Sequence, residues 1–214
     1  MAAVCLLSDA QMVMPVFIRD YTDFYSSKNH AYNVGCMFRG PDNALQPNWT
    51  HLPVGYHGRA SSIVIDGTPV RRPKGQVTPD GTKGDWAANG CKLLDFELEM
   101  GTIIGKGNAL GHPIKVNDAA DHIFGFTMLN DWSARDIQKW EYVPLGPFLA
   151  KNFQSTISPW VITPEALAPF KCALPAQEPT LLPYLQDKSL SAYDLNLNVS
   201  IRTPAMGENW HVLT

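Results

Sequence analysis

The segment Asp95-Phe96-Glu97-Leu98-Glu99 concentrates more chemistry than any other in the chain. On a strand, successive side chains alternate between faces, so Glu97 and Glu99 project together with Cα atoms about 6.6 to 7 Å apart. Two carboxylates at that spacing reach one cation; a charged sheet face turned to water is the plain alternative. Asp131 lies where the apolar run from Ile123 to Leu129 ends at Asn130-Asp131. Strand ends commonly hold catalytic groups, although a turn or helix-capping aspartate gives the same pattern. Asp23 is a third candidate, and if Tyr21 onward is helical, His30 seven positions on shares its face and sets a base beside a carboxylate. An all-oxygen donor set suits Mg²⁺ or Ca²⁺ rather than zinc or copper. Arg135 and Gln138 share a face at i and i+3, and Lys151 follows; such donors either stabilise an oxyanion or coat a solvated helix.

The elements that must position these groups read mostly as strands. Leu94, Phe96, Leu98 and Met100 alternate with Asp95, Glu97, Glu99 and Gly101, which predicts one half-buried strand with its apolar set inward. Leu195, Leu197, Val199 and Ile201 alternate with polar residues in the same way. Ser62 to Ile65, Asp66-Gly67 and Thr68-Pro69-Val70 read as a hairpin. Ser133 with Asp136 resembles a capping box opening a short helix from Ala134 to Trp140. Helical turns are expected somewhere between Tyr21 and Met37, with Gly35 against them, and the Pro- and Gly-rich stretches Arg71 to Gly90 and Pro164 to Pro183 read as loops. The fold class expected is mostly β with minor helix, in one domain.

Composition narrows the partners. The chain has 214 residues, 45% of them hydrophobic, enough to bury a core. Its charged fraction is 17% against roughly 25% in ordinary globular chains, which argues against disorder or a coiled coil. A net charge of -3 with no basic block gives nucleic acid or an anionic membrane no electrostatic footing, and no uncharged apolar run nears the roughly 20 residues of a membrane span. The apolar run from Ala2 to Leu7 lacks a basic n-region, so a cytoplasmic protein is expected, with Cys5, Cys36, Cys91 and Cys172 as free thiols. The sequons at Asn48 and Asn198 are then chance matches. The partner expected is a small molecule or another subunit.

Longer strings carry a resemblance. Asp20 to Ser27, Asn48-Trp49, His51 to Ser62, Leu93 to Met100, Asn130 to Gln138 and Trp140 to Phe148 resemble the fumarylacetoacetase family, with few gaps from about Asp20 to about Ile201. The resemblance implies the mixed β-sandwich roll of that family's C-terminal domain, incomplete at its C-terminal end. It divides the chain into a lead-in (1–19), a truncated catalytic domain (20–201) and a divergent tail (202–214). It implies a homodimeric, Mg²⁺- or Ca²⁺-dependent hydrolase that splits the carbon–carbon bond of 4-fumarylacetoacetate into fumarate and acetoacetate, the last step of tyrosine and phenylalanine breakdown. By position in the matching strings, metal ligands fall on Asp23, Glu97, Glu99 and Asp131, with Lys151 and Ser155 also at the metal site. The general base falls on His30, the oxyanion donors on Arg135, Gln138 and Lys151, and the substrate contacts on Tyr25, Arg39, Tyr56, Gln138 and Tyr142. Ser155 stands where relatives carry Thr, and Gln154 where they carry Gly. Family members also have a separate N-terminal domain, and a later segment that supplies further strands, an acid orienting the base and a substrate-contacting Thr. That leaves an inactive form that binds metal or a full-length subunit as the alternative. An acylpyruvate hydrolase or oxaloacetate decarboxylase of the wider superfamily is disfavoured by the Tyr56 to Ser62 and Trp140 to Phe148 strings.

Overall fold

The structure, a computed structural model, describes residues 4–189 and 191–213. In chain order the elements are β1 (Thr22–Phe24), α1 (Lys28–Arg39), β2 (Gly55–His57), β3 (Ile63–Ile65), β4 (Gln76–Val77), β5 (Asp85–Trp86), β6 (Leu94–Asp95), β7 (Leu98–Ile104), β8 (Ile123–Asp131), β9 (Ser133–Ala134), α2 (Arg135–Glu141), α3 (Leu149–Asn152), β10 (Ser155–Ile157), α4 (Pro164–Leu167), β11 (Lys171–Ala173), β12 (Ser191–Tyr193), β13 (Val199–Ile201) and β14 (Trp210–Leu213). Many short strands and few helices are what the turn-rich sequence predicts. Among the described residues no helix is long and apolar enough to cross a membrane. The four cysteines are unpaired.

Length and composition pointed to one domain, but the chain forms two compact units. One takes Met1–Gly101 and Thr127–Val161, the other Thr102–Phe126 and Ile162–Thr214. The second unit satisfies its own backbone: Gly105 N–H donates to His122 O at 2.9 Å, Phe126 and Ile162 exchange two bonds of 2.8 Å, and Asp194 N–H donates to Phe170 O at 2.7 Å. It holds the antiparallel pairs β11-β12 and β13-β14. The 195–201 alternation survives in burial, apolar residues half-buried and polar ones exposed. Ladder bonds form only over Val199–Ile201, whose partner is the four-residue β14.

The first unit carries the candidate chemistry. Its mixed sheet has the order β3-β10-β8-β7, with β10 parallel to β3 and antiparallel to β8. Ile63, Leu129 and Ile157 form one core cluster on it; Cys91, Ala134, Ile137 and Ala150 form another around α2 and α3. The expected hairpin at Asp66-Gly67 is absent. Pro69 offers no N–H to a returning strand, Thr68 turns back onto Ile65 O, and β3 pairs with β10 instead, Ile63 opposite Ser155.

The single strand expected over Leu94 to Met100 is also interrupted. Asp95 Oδ1 accepts from Phe96 N–H at 2.9 Å and Asn130 Oδ1 from Glu97 N–H at 3.2 Å, so side chains take the donors a ladder would use. The burial is the reverse of the expectation: Glu97 is buried, while Leu94, Phe96 and Leu98 are only half-buried and Met100 is exposed. No capping box opens α2. Ser133 Oγ donates to Asp131 O at 2.9 Å, and Asp136 accepts from Lys92 N–H at 2.7 Å and Ile137 N–H at 3.0 Å. Helix α1 begins later than Tyr21 because Ser27 caps it, accepting from His30 N–H at 3.4 Å. Asp23 therefore lies on a strand and shares no helix face with His30. Gly35 fits within α1 for a packing reason: a Cβ there would sit 2.0 Å from Ala44 O.

Candidate functional site

Asp131 is the last residue of β8, opposite Ser155 in the β10 ladder, and wholly buried. Asp23 is the middle residue of β1, opposite Tyr56 on β2. Glu99 is the second residue of β7. One carboxylate oxygen from each of these three lies within 4.8 Å of the others. Four acids were expected together, and the structure gathers three in this group. Glu97 stands beside it with both oxygens engaged: Oε1 accepts from Arg135 Nη2 at 2.7 Å and meets His30 Nε2 at 3.3 Å, and Oε2 accepts from Lys151 Nζ.

Three positive side chains face this acid cluster. Lys151, on α3 and 4% exposed, donates to Glu97 Oε2 and to Asp131 Oδ2, the latter at 2.7 Å. Arg135 opens α2 and bonds Asp95 Oδ2 at 2.8 Å, Gln138 Oε1 at 2.9 Å and Glu97. Arg59 was not singled out from sequence, because a lone arginine inside Tyr56-His57-Gly58-Arg59 has no periodicity or spacing to mark it. Its side chain is 5% exposed and reaches Asp23 Oδ2 at 3.1 Å, Asp131 Oδ1 at 3.2 Å and Tyr56 Oη at 2.6 Å. Ser155 Oγ, which the family pattern points to, donates to Asp131 Oδ1 at 3.0 Å.

Glu141, the last residue of α2, links the two donor helices. Its carboxylate accepts the backbone N–H groups of Phe148 at 2.8 Å, Leu149 at 3.2 Å and Ala150 at 2.7 Å, the orphan donors at the start of α3. Lys151 follows directly on that turn.

Around the cluster, Tyr25 Oη donates to Ala31 O at 2.9 Å, and its ring meets the His30 ring edge-on with centroids 5.6 Å apart. Tyr56 Oη donates to Asp23 Oδ2 at 2.7 Å. Tyr142 packs edge-on against Phe38. Arg39 ends α1 and donates to the carbonyls of Asn43 and Ala44; Tyr25 and Arg39 also sense each other, since burial raises the Tyr25 pKa and the Arg39 charge partly offsets it.

The electrostatics divide the acids. Burial would raise Glu97, but the hydrogen bond from His30 and the charges of Lys151 and Arg135 hold it well below the usual carboxylate range. Burial pushes Asp131 up to about 6, with Lys151 and Arg59 restraining it. Glu99 is pushed up to about 9 by burial and by the charges of Asp23, Asp131 and Glu97. Without a cation Glu99 therefore keeps its proton at neutral pH. An oxygen-only trio in which burial and neighbouring carboxylates keep one member protonated has the chemistry of a site for a hard divalent cation.

Cation binding must then expel the Glu99 proton. Calorimetric affinity for Mg²⁺ or Ca²⁺ is expected to rise between pH 6 and pH 9, by up to about tenfold per pH unit, with about one proton released at pH 7. In the metal-free chain the sign is opposite: a carboxyl whose folded pKa exceeds its unfolded value favours the fold at low pH, and that contribution is lost as pH rises through about 9. A flat affinity profile from pH 6 to pH 9 would contradict this.

Comparison with known proteins adds family evidence. The family profile described as Fumarylacetoacetate (FAA) hydrolase C-terminal matches residues 20–208. The chain is similar to a fumarylacetoacetase of Dictyostelium discoideum, 59% identical over 209 residues that cover 97% of this chain and 49% of that protein. It is 58% identical over 201 residues to a fumarylacetoacetase of Bos taurus and 57% to one of Homo sapiens, covering 94% of this chain and 48% of each. The chain thus spans about half the length of the curated relatives it matches.

Proposed function

Because the chain belongs to the fumarylacetoacetate hydrolase family, we propose that its site hydrolyses the carbon–carbon bond of 4-fumarylacetoacetate, giving fumarate and acetoacetate. The observation that carries this reading is the Asp23, Glu99 and Asp131 trio beside the Lys151, Arg135 and Gln138 donors. Residues 20–201 are taken as the catalytic portion, in the family's β-sandwich roll and in a cytoplasmic homodimer, readings that rest on the resemblance.

Asp23, Glu99 and Asp131 would hold Mg²⁺ or Ca²⁺, with Glu97, Lys151 and Ser155 shaping the surroundings. When bound, the cation supplies Lewis acidity to the diketone oxygens. Glu97 Oε1 accepts from His30 Nε2, which leaves the lone pair on Nδ1 to take a proton from water. The resulting hydroxide adds to the ketone carbon of the fumaryl group itself. Arg135 occupies Gln138 Oε1, so the amide N–H₂ of Gln138 is turned to donate to the new oxyanion. Lys151 spends one N–H on Glu97 and one on Asp131, and its third is available to the same oxygen. Collapse breaks the carbon–carbon bond, fumarate keeps the hydroxyl, and the acetoacetate enolate takes the proton from His30. Tyr25, Arg39, Tyr56 and Tyr142 are the substrate contacts by family position. A bidentate grip of Arg39 on a substrate carboxylate has to displace the Asn43 and Ala44 carbonyls it now holds.

Incubating the chain with 4-fumarylacetoacetate and Mg²⁺ or Ca²⁺ and following the diketone absorbance tests this. Loss of absorbance that a chelator stops is expected. Cation binding without turnover would favour the second reading, a metal- or subunit-binding form, which the half-length match to the relatives motivates.

A further inference from the structure

We propose that Arg59 is a positioning residue of the cation site, a guanidinium clamp that holds Asp23 and Asp131 at the separation one divalent cation requires. This rests on the cation reading above and extends it to a residue outside the ligand set. Asp23 sits on the two-stranded β1-β2 ribbon and Asp131 at the end of β8 in the four-stranded sheet. Their carboxylates repel each other, and Arg59 Nη2 donates to both, at 3.1 Å and 3.2 Å. Nη1 donates to Tyr56 Oη at 2.6 Å, and Tyr56 Oη donates to Asp23 Oδ2, so Asp23 is held twice through the same residue. Nη2 also approaches Tyr21 Oη at 3.3 Å, and the guanidinium carbon lies 5.0 Å and 5.3 Å from the Tyr21 and Tyr56 ring centroids. Only a planar fork makes these contacts together; a lysine ammonium is a point charge.

The backbone supports the same conclusion. Arg59 adopts φ 71 and ψ 7, and among the described residues it is the one non-glycine at positive φ. Left-handed backbone is unfavourable for a residue with a Cβ, and such strain persists where the surroundings over-determine it, most often at functional sites. Glycine would relieve the strain but make none of the four polar contacts. Arg59 Nε is also buried without a partner, so the side chain is placed for what its outer nitrogens hold.

The test is calorimetric titration of MgCl₂ and CaCl₂ into the full chain and into Arg59→Met, Arg59→Lys and Arg59→Gly. All three variants are expected to bind the cation at least about tenfold more weakly, even though Arg59→Met and Arg59→Gly make the site more negative. Tighter binding by Arg59→Met, or wild-type affinity in Arg59→Lys, would overturn the proposal by showing that Arg59 acts only as counter-charge. A metal-free arm separates this from the cation reading itself. In urea unfolding, Arg59→Met is expected to lower the folding constant about tenfold or more, but less than about threefold in the Asp23→Asn background. If the wild type binds neither cation yet this coupling is found, the clamp stands and the cation reading falls; equal effects in the two backgrounds overturn the clamp.

Discussion

Lys151→Met is expected to cost about 3 to 5 kcal/mol of folding stability, the usual penalty for removing one partner of a buried ion pair. The ammonium is 4% exposed and is shared by Glu97 and Asp131, which are themselves buried. Burial alone would lower the Lys151 pKa, but the two carboxylates raise it, so the residue is a cation in the fold. Methionine nearly preserves the volume and leaves two carboxylates facing each other with that charge gone. Urea unfolding of the metal-free chain measures the loss, and adding Glu97→Gln to Lys151→Met should recover part of it by removing one orphaned charge. A loss below about 1 kcal/mol, the scale of an exposed ion pair, would mean that this cluster is solvated. The catalytic expectation is separate: if turnover is observed for the wild type, Lys151→Met should abolish it along with an oxyanion donor.

The second large effect is on rate. If the wild type turns over the diketone as proposed, His30→Ala is expected to slow that turnover by about 10² to 10⁴-fold, the range supplied by a positioned general base. The fold should survive, because the His30 side chain is 36% exposed and α1 is capped by Ser27 rather than by the imidazole. Cation affinity should change little, since His30 touches Glu97 and not the Asp23, Glu99 and Asp131 trio. Steady-state kinetics with parallel calorimetry separate the two readouts. A His30→Ala rate equal to the wild-type rate would remove His30 from the mechanism. Equal loss of cation binding and rate would instead assign it to the metal site.

What the sequence made legible was chemistry carried by strand period and strand ends. Asp131 does end β8, because a terminal Asn-Asp is a local property, and Glu99 on β7 joins the acid trio, whereas Glu97 falls between β6 and β7 and stands beside it. The Arg135 to Gln138 spacing on a short helix is likewise realised, down to the bond between them. What stayed hidden depends on partners distant in sequence. Strand β3 reads as half of a hairpin until β10 is beside it. The Leu94 to Met100 alternation hides two side-chain acceptors, Asp95 and Asn130, that break its ladder. Arg59 gains its meaning from Asp131, 72 positions away. The division into two units escaped because both β7 and β8 run across the boundaries without a linker-like composition to mark them.

Glu141 has an implication for how this region tolerates change. From Gln138 to Lys151 the covalent path runs through the exposed Val143-Pro144-Leu145 loop. The mechanical path is shorter, passing from the end of α2 through one carboxylate into the first turn of α3. The loop is thereby bypassed, and changes within it are expected to disturb the spacing of the donors on either side less than loss of the Glu141 carboxylate would. At Glu141 itself, a neutral, shorter side chain would return the placement of Lys151 to the loop.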